Sequence, residues 1–337
     1  MRPSSVGVGL LGYGVVGSEV DRLLQAYDEE ILRRVGRRVS VVRALVRDIR
    51  KPRASHLQRG VLTVDPADVL QSPSVSIVVE AMGGLEPTRA YVRNAISLGR
   101  PVVTANKRLM ATHAAELEHK ARAAGVSLRF DAAVGGVAPI LRILETGVPP
   151  GTVRRVCGIV NGTTNFVLTA MERGATLESA LSSARQQGYT EEDATEDISG
   201  ADAAAKMVLI ARAAFGTSVE LADAHWTGFD SNTLRMVADA GRSRMHVRLI
   251  GEAHRGHGGV SVDVRLRVIP EAHPFAQTRG VGNLVLIEGP DIGLIQLSGA
   301  GAGPPTAAAV VADIVAVVRE SEPHNLRAEQ RREGERN

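Results

Sequence analysis

Between residues 12 and 17 the chain reads Gly-Tyr-Gly-Val-Val-Gly, and this spacing constrains the fold more than any other feature of the sequence. An apolar run, Val6–Leu11, leads into Gly12, and helical spacing through Val16, Val20, Leu23, Leu24 and Leu32 continues from Val15 to about Arg34. In a strand–turn–helix setting the first glycine allows a tight turn. The second lets backbone approach a pyrophosphate, and the third lets helix and strand pack closely. The helix N-terminus then offers free N–H groups and a positive dipole end to the anion. A glycine triplet alone is weak evidence, because a merely tight turn needs one too. Its place between strand and helix makes a dinucleotide site the better reading, with Gly12, Tyr13, Gly14, Val15, Val16 and Gly17 as its loop.

The pattern after the loop agrees. Apolar strand runs at Val39–Val46, Val75–Glu80, Pro101–Thr104 and Val126–Phe130 alternate with helical spacing at Pro87–Leu98 and Arg108–Ala124. Such alternation predicts an α/β fold with a doubly wound parallel sheet covered on both faces. Past Val134 the character changes. Glycines and Pro139 interrupt the chain, and helical stretches follow at Leu141–Thr146, Asn165–Arg173, Leu177–Gln186 and from about Gly200 to Phe215. Strand runs such as Val260–Val268 and Leu284–Glu288 come next. The expectation is a Rossmann domain at 1–134 with 299–320 packing back onto it, an α+β catalytic and dimerisation domain at 135–298, and a charged, disordered tail at 321–337.

Composition narrows the function classes. Of 337 residues, 44% are hydrophobic and 23% charged, as in an ordinary globular protein. Forty basic residues against 37 acidic ones leave a net charge of +3, too balanced for a nucleic-acid binder. The nearly apolar run Ala307–Val318 is broken by Asp313 and is shorter than the roughly 18 residues that span a bilayer. No secretory signal precedes Val6, and the single Cys157 can form no internal disulfide. A reducing, cytoplasmic setting without membrane or nucleic-acid partners is expected.

Lysine usage points to the chemistry. Only Lys51, Lys107, Lys120 and Lys206 are lysines among the 40 basic residues. A lysine retained in so arginine-rich a chain can mark a place where arginine does not serve, since arginine keeps its proton and lysine can be tuned to lose it. Lys107 falls at a strand-to-helix junction, a poor place for a cation by the helix dipole. Lys206 stands four residues after Asp202, on one face of a helix. Spacing alone would make that pair an ordinary surface salt bridge, but its flanks (ADAAAKMVLI) are small and apolar, which argues for a packed helix. Ligands of a parallel sheet lie beyond its carboxyl strand ends. Met82 and Gly83 after the third strand, and Thr104 and Lys107 after the next, therefore join the cofactor loop as candidates. The second strand ends in Arg47 rather than in the acid that would bind a ribose 2′-hydroxyl, which favours NADP, while Asp48 keeps NAD open.

These stretches together resemble homoserine dehydrogenase. The matching runs are GYGVVG (12–17), VVEAMGG (78–84), VVTANK (102–107), GIVNGTTNFVLTAM (158–171), GYTEEDATEDISGADAAAK (188–206) and GAGAGPPTAAAVVADI (299–314), in the family's order. The resemblance implies reversible NAD(P)-dependent interconversion of L-aspartate 4-semialdehyde and L-homoserine, on the route to threonine, methionine and isoleucine. It implies that Glu191 and Asp202, with Gly188 in the same motif, bind the substrate, and that Lys206 and Lys107 lie by the reacting oxygen, Lys206 as proton donor. Gly301 and Gly303 would return to the cofactor, and the NGTTN turn (161–165) would shape the substrate site. A Na⁺ or K⁺ site is implied at Asp131, Val134, Gly136 and Ala138, although Asp131 and Val137 depart from the family's glutamate and glycine. The chain ends soon after this core, so neither a C-terminal regulatory ACT domain nor an N-terminal kinase is expected. A homodimer or higher homo-oligomer, formed through the second domain's sheet, is expected as well. Two other readings stand beside this one: a dehydrogenase of a related amino-acid aldehyde, and a non-catalytic NAD(P)-binding regulator, which would have no reason to keep Glu191, Asp202, Lys107 and Lys206 together.

Overall fold

The first strand, β1 (Ser5–Leu11), is buried from Val6 onward and lies between two parallel neighbours, as expected of a strand without a polar face. In the computed structural model the described residues are 5–51, 53, 60–134, 136, 138–190, 192–256, 258–300 and 304–321. Glu191, Gly301 and Gly303 lie outside them, as does most of the expected disordered tail. By Cα proximity the chain divides into two units, one comprising 1–104, 116–130 and 310–337, the other 105–115 and 131–309.

β1 is followed by α1 (Val15–Ala26), α2 (Asp28–Val35), β2 (Arg38–Leu45), β3 (Leu62–Thr63), α3 (Ala67–Leu70), β4 (Ile77–Glu80), α4 (Thr88–Ser97), β5 (Val102–Thr104), α5 (Lys107–Ala124), whose residues up to Ala115 count with the second unit, and β6 (Leu128–Arg129). The six strands form one parallel sheet in the order β3-β2-β1-β4-β5-β6. The order reverses between β1 and β4, and an open α/β sheet binds its ligand at that switch point. The continuous helix expected over 15–34 is instead two helices. Tyr27 leaves the helical region at φ −112°, ψ 20°, and α2 restarts on Asp28, Glu29 and Glu30, acids that suit a helix N-terminus. β3 went unpredicted, being two residues long.

The second unit runs through α6 (Ile140–Arg142), β7 (Arg155–Ile159), α7 (Gly162–Met171), α8 (Leu177–Gln186), α9 (Thr195–Ile198), α10 (Ala201–Phe215), β8 (His225–Trp226), α11 (Thr233–Arg242), β9 (Met245–Gly256), β10 (Gly259–Pro270), α12 (Pro274–Gln277), β11 (Gly282–Gly289) and β12 (Gly293–Ala300), and the chain then enters α13 (Pro304–Glu320). The helix expected at 141–146 is the short α6 continued by a wider π turn over Ile143–Gly147, and α11 was not predicted. The strands make a mixed sheet in the order β12-β11-β7-β9-β10-β8. α10 is buried continuously from Asp202 to Ala211, so it is a central core helix rather than an amphipathic surface one. Charged residues on such a helix need partners. An apolar cluster gathers Cys157, Ile159, Ile250, Phe275 and Leu286, and burial pushes the Cys157 thiol up to about 11.

Candidate active site

The glycine loop has the conformation its spacing predicts. Gly12 sits at φ 104°, and a Cβ there would lie 2.8 Å from the Ala81 carbonyl oxygen. A Cβ on Gly17 would come within 2.2 Å of the Gly12 carbonyl oxygen, whereas Gly14 has nothing within 4 Å of that position. Gly14, the N-cap residue of α1, has no side chain to cap the helix, and no side-chain cap is made among the described residues, so the first N–H groups are available to an anion, and Val15 is 81% exposed on the same turn. An open backbone cradle with free donors fits a dinucleotide pyrophosphate. Tyr13 contributes backbone only: its ring is buried and its hydroxyl donates to Asp21 Oδ2 at 2.6 Å. Burial and the Asp21 carboxylate push that phenol above its ordinary range.

At the end of β2, Asp48 accepts hydrogen bonds from the Arg50 backbone N–H at 2.9 Å and from its Nε at 3.3 Å. Arg47 is exposed and has no ion-pair partner among the described residues. Beyond β4, the fully buried Glu80 accepts from the N–H groups of Met82 and Gly83, both at 2.9 Å. It also accepts from the hydroxyl of Thr104, its register partner on β5, and Thr88 Oγ1 donates to the Gly83 carbonyl at 2.7 Å. The Met82–Gly83 turn is thus fixed from below. Sequence reasoning missed Glu80, although its place one residue before the Ala-Met-Gly-Gly turn was the available signal.

In the second unit three motifs distant in sequence converge. Lys107 opens α5, whose N-terminus is capped by Asn106 Oδ1 accepting from the Leu109 N–H at 3.0 Å. The cation's poor position at that helix end is offset by Asp202, whose Oδ1 lies 2.8 Å from Lys107 Nζ. Asp202 Oδ2 is 2.9 Å from Lys206 Nζ one turn further along α10, and Lys206 Nζ donates also to the Val160 carbonyl at 2.8 Å. The side chains of Asp202 and Lys206 are 4% and 11% exposed, that of Lys107 37%. Burial alone would favour a neutral acid, but Lys206 and Lys107 outweigh it and hold the Asp202 carboxyl well below the usual carboxylate range. In return Asp202 raises the Lys107 ammonium above its ordinary value against the opposing effect of burial, so Lys107 is charged at neutral pH.

The β7–α7 junction completes the cluster. Asn161 Nδ2 donates to Asp197 Oδ1 at 2.7 Å and to Asp202 Oδ2 at 2.8 Å. Thr190 Oγ1 donates to Asp197 Oδ2 at 2.8 Å, and Thr163 Oγ1 to the Tyr189 carbonyl at 2.9 Å. Gly188 turns the chain at φ 72° into the segment that carries Tyr189 and Thr190. Asn161 and Asp197 were not singled out from the sequence. A cavity of about 680 Å³ beside α11, with Met171, Glu172 and His246 among its lining residues, shares none with this cluster.

An NAD(P)-type cradle on one unit and paired ammoniums around a buried carboxylate on the other are the parts of a carbonyl-reducing dehydrogenase. Comparison with known proteins agrees. The family model described as homoserine dehydrogenase matches residues 139–315, and that of the homoserine dehydrogenase NAD binding domain matches residues 12–131. The chain belongs to the homoserine dehydrogenase family. It is 38% identical to the Bacillus subtilis homoserine dehydrogenase, over 94% of this chain and 73% of that protein. It is also 38% identical to that of Corynebacterium glutamicum, over 94% of this chain and 72% of that one. The crystal structure of a homoserine dehydrogenase from Thiobacillus denitrificans superposes with a TM-score of 0.89 at 41% identity, covering 95% of this chain and 75% of that chain. Homoserine dehydrogenases are NAD(P)-dependent oxidoreductases of the CH–OH group, and this chain carries the activity's two domains in order.

Proposed function

We propose that the chain interconverts L-aspartate 4-semialdehyde and L-homoserine through the Asp202-centred cluster, with Lys206 as proton donor in the reducing direction. The observation that carries this is the bracketing of one buried carboxylate by two ammoniums at 2.8 and 2.9 Å. The nicotinamide, when bound, supplies the hydride. Lys206 uses two of its three donors on Asp202 and Val160, and the third is available to the aldehyde oxygen. There an ammonium stabilises the developing alkoxide and then protonates it. Lys107 adds a second positive charge at the same oxygen, and Asp202 fixes both. Glu191 and Asp202 take the substrate's ammonium, and the Gly188 turn sets the segment that leads to Glu191. The reading is tested by homoserine-dependent reduction of NADP.

NADP is the preferred cofactor in this reading. Asp48 is engaged with Arg50, which leaves Arg47 to meet a 2′-phosphate. Gly301 and Gly303 complete the cofactor site. Arg47→Asp is expected to move the NADP-to-NAD ratio of kcat/KM toward NAD by about tenfold or more, the worth of one charge-assisted phosphate contact. An unchanged ratio would remove Arg47 from the site.

The 131–138 turn is the place for a monovalent cation, but its side chain is already engaged. Asp131 Oδ1 accepts from the N–H groups of Leu141 at 2.9 Å and Arg142 at 3.2 Å, and Oδ2 lies 3.6 Å from Arg142 Nε. The carboxylate acts as a helix cap and an arginine partner. A cation here would rest on the backbone oxygens of Val134, Gly136 and Ala138, and no step of the reaction depends on it. A cytoplasmic homodimer through the second unit's sheet completes the proposal. In support, β12 is an edge strand of the sheet among the described residues, with Leu294 51% exposed, and no helix among the described residues is long and apolar enough to cross a membrane.

A further inference from the structure

Asn161 is 4% exposed and stands between β7 and α7. Its side-chain oxygen accepts the Thr164 N–H at 2.8 Å, capping α7. That bond fixes which way the amide faces, so both Nδ2 hydrogens point away from the helix. Each meets a different carboxylate, Asp197 from α9 and Asp202 from α10, at 2.7 and 2.8 Å. Asp202 is buried and Asp197 half-buried, and two carboxylates this close repel unless a donor is shared between them. Among the described residues the neutral amide is the one group that donates to both. It bonds to Asp202 Oδ2, the oxygen that also holds Lys206, while the carbonyl of the preceding Val160 takes a second bond from the same ammonium.

We propose that Asn161 is a positioning residue of the reaction: its amide ties Asp197 to Asp202 and, through Asp202, aims the Lys206 ammonium. Resting on the reading of this cluster as the homoserine site, it assigns a task that neither the glycine loop nor the lysines perform. The charged groups facing the amide are Asp197, Asp202 and Lys206, with Lys107 on the far oxygen of Asp202 and Glu196 within electrostatic reach of Lys107.

Asn161→Asp isolates the effect, because an aspartate keeps the oxygen that caps Thr164 and loses only the two donors. When ionised it sets a third carboxylate against two others. At about pH 8 the variant is expected to lose about 100-fold in kcat/KM for homoserine, the cost of a misplaced catalytic group. NADP affinity should stay close to the native value, since the glycine loop lies outside this cluster. Acidification toward about pH 5.5 protonates the new carboxyl and returns one donor to the cluster, so the deficit relative to native enzyme should shrink at least fivefold. Asn161→Ala has no group to titrate, and its deficit should be the same at both pH values, with about 1 kcal/mol of stability lost with the cap. A native-like Asn161→Asp enzyme, or one whose deficit is equal at both pH values, would overturn the proposal. If native enzyme oxidises no homoserine, the homoserine reading itself fails. Turnover by native enzyme beside an unimpaired variant refutes only the role of Asn161.

Discussion

Lys206→Ala is expected to lower homoserine turnover by about a thousandfold or more while leaving NADP affinity within about twofold of native. The size follows from losing two contributions at once. A positioned proton donor is worth about 10² to 10⁴ in rate, and an ammonium facing a developing alkoxide adds electrostatic stabilisation that water in the vacated space replaces poorly. The selectivity follows from the fold, because Lys206 is held by Asp202 and Val160 of the second unit, whereas the glycine loop belongs to the first. Steady-state oxidation together with a fluorescence titration of NADPH separates the two effects. Parallel loss of binding and turnover would contradict the assignment, and so would a variant retaining a tenth of native activity.

Asp202→Ala should be damaging in a different way. It leaves Lys206 buried without its counter-charge and removes the anion that offsets Lys107 at the start of α5. Breaking a buried ion pair from one side costs about 3–5 kcal/mol, so this variant should show a clearly lowered thermal midpoint along with lost activity. The pH dependence has a definite sign. The Asp202 carboxyl is depressed in the fold, so its stabilising contribution is fully present above the ordinary aspartate value of about 3.9 and is lost as pH falls below it. The stability gap between native and Asp202→Ala should therefore be widest near neutrality and narrow below about pH 4. A gap that stays constant down to pH 3 would mean the carboxylate is not held by the two ammoniums.

The sequence made the glycine loop, the strand–helix alternation and the helix bearing Asp202 and Lys206 legible because each is a local pattern. Strand runs reveal the parallel sheet through their apolar continuity, and small apolar flanks reveal that α10 is buried. What escaped depends on tertiary register. Asn161 and Asp197 meet across 36 positions of chain, and neither has a neighbourhood that announces the other. Glu80 reads as one more strand residue until its carboxylate is seen to hold the turn that follows it. α11 is strongly amphipathic, with Thr233, Val237 and Ala240 buried on one face, so its periodicity was legible although it went unpredicted, and the break at Tyr27 separates two helices whose apolar spacing runs on almost in phase. The Lys107 to Asp202 contact is the instructive case. The sequence shows a cation at the wrong helix end, and the structure supplies the anion that makes the position tenable.

The most direct test of the account is oxidation of L-homoserine by the native chain, followed at the absorbance band of reduced nicotinamide, with NADP and NAD compared in the presence and absence of Na⁺ or K⁺. Homoserine-dependent reduction of the cofactor is expected, faster with NADP, with turnover that persists without added Na⁺ or K⁺. Tight cofactor binding with no reduction by homoserine under any of these conditions would contradict it and direct attention to related amino alcohols.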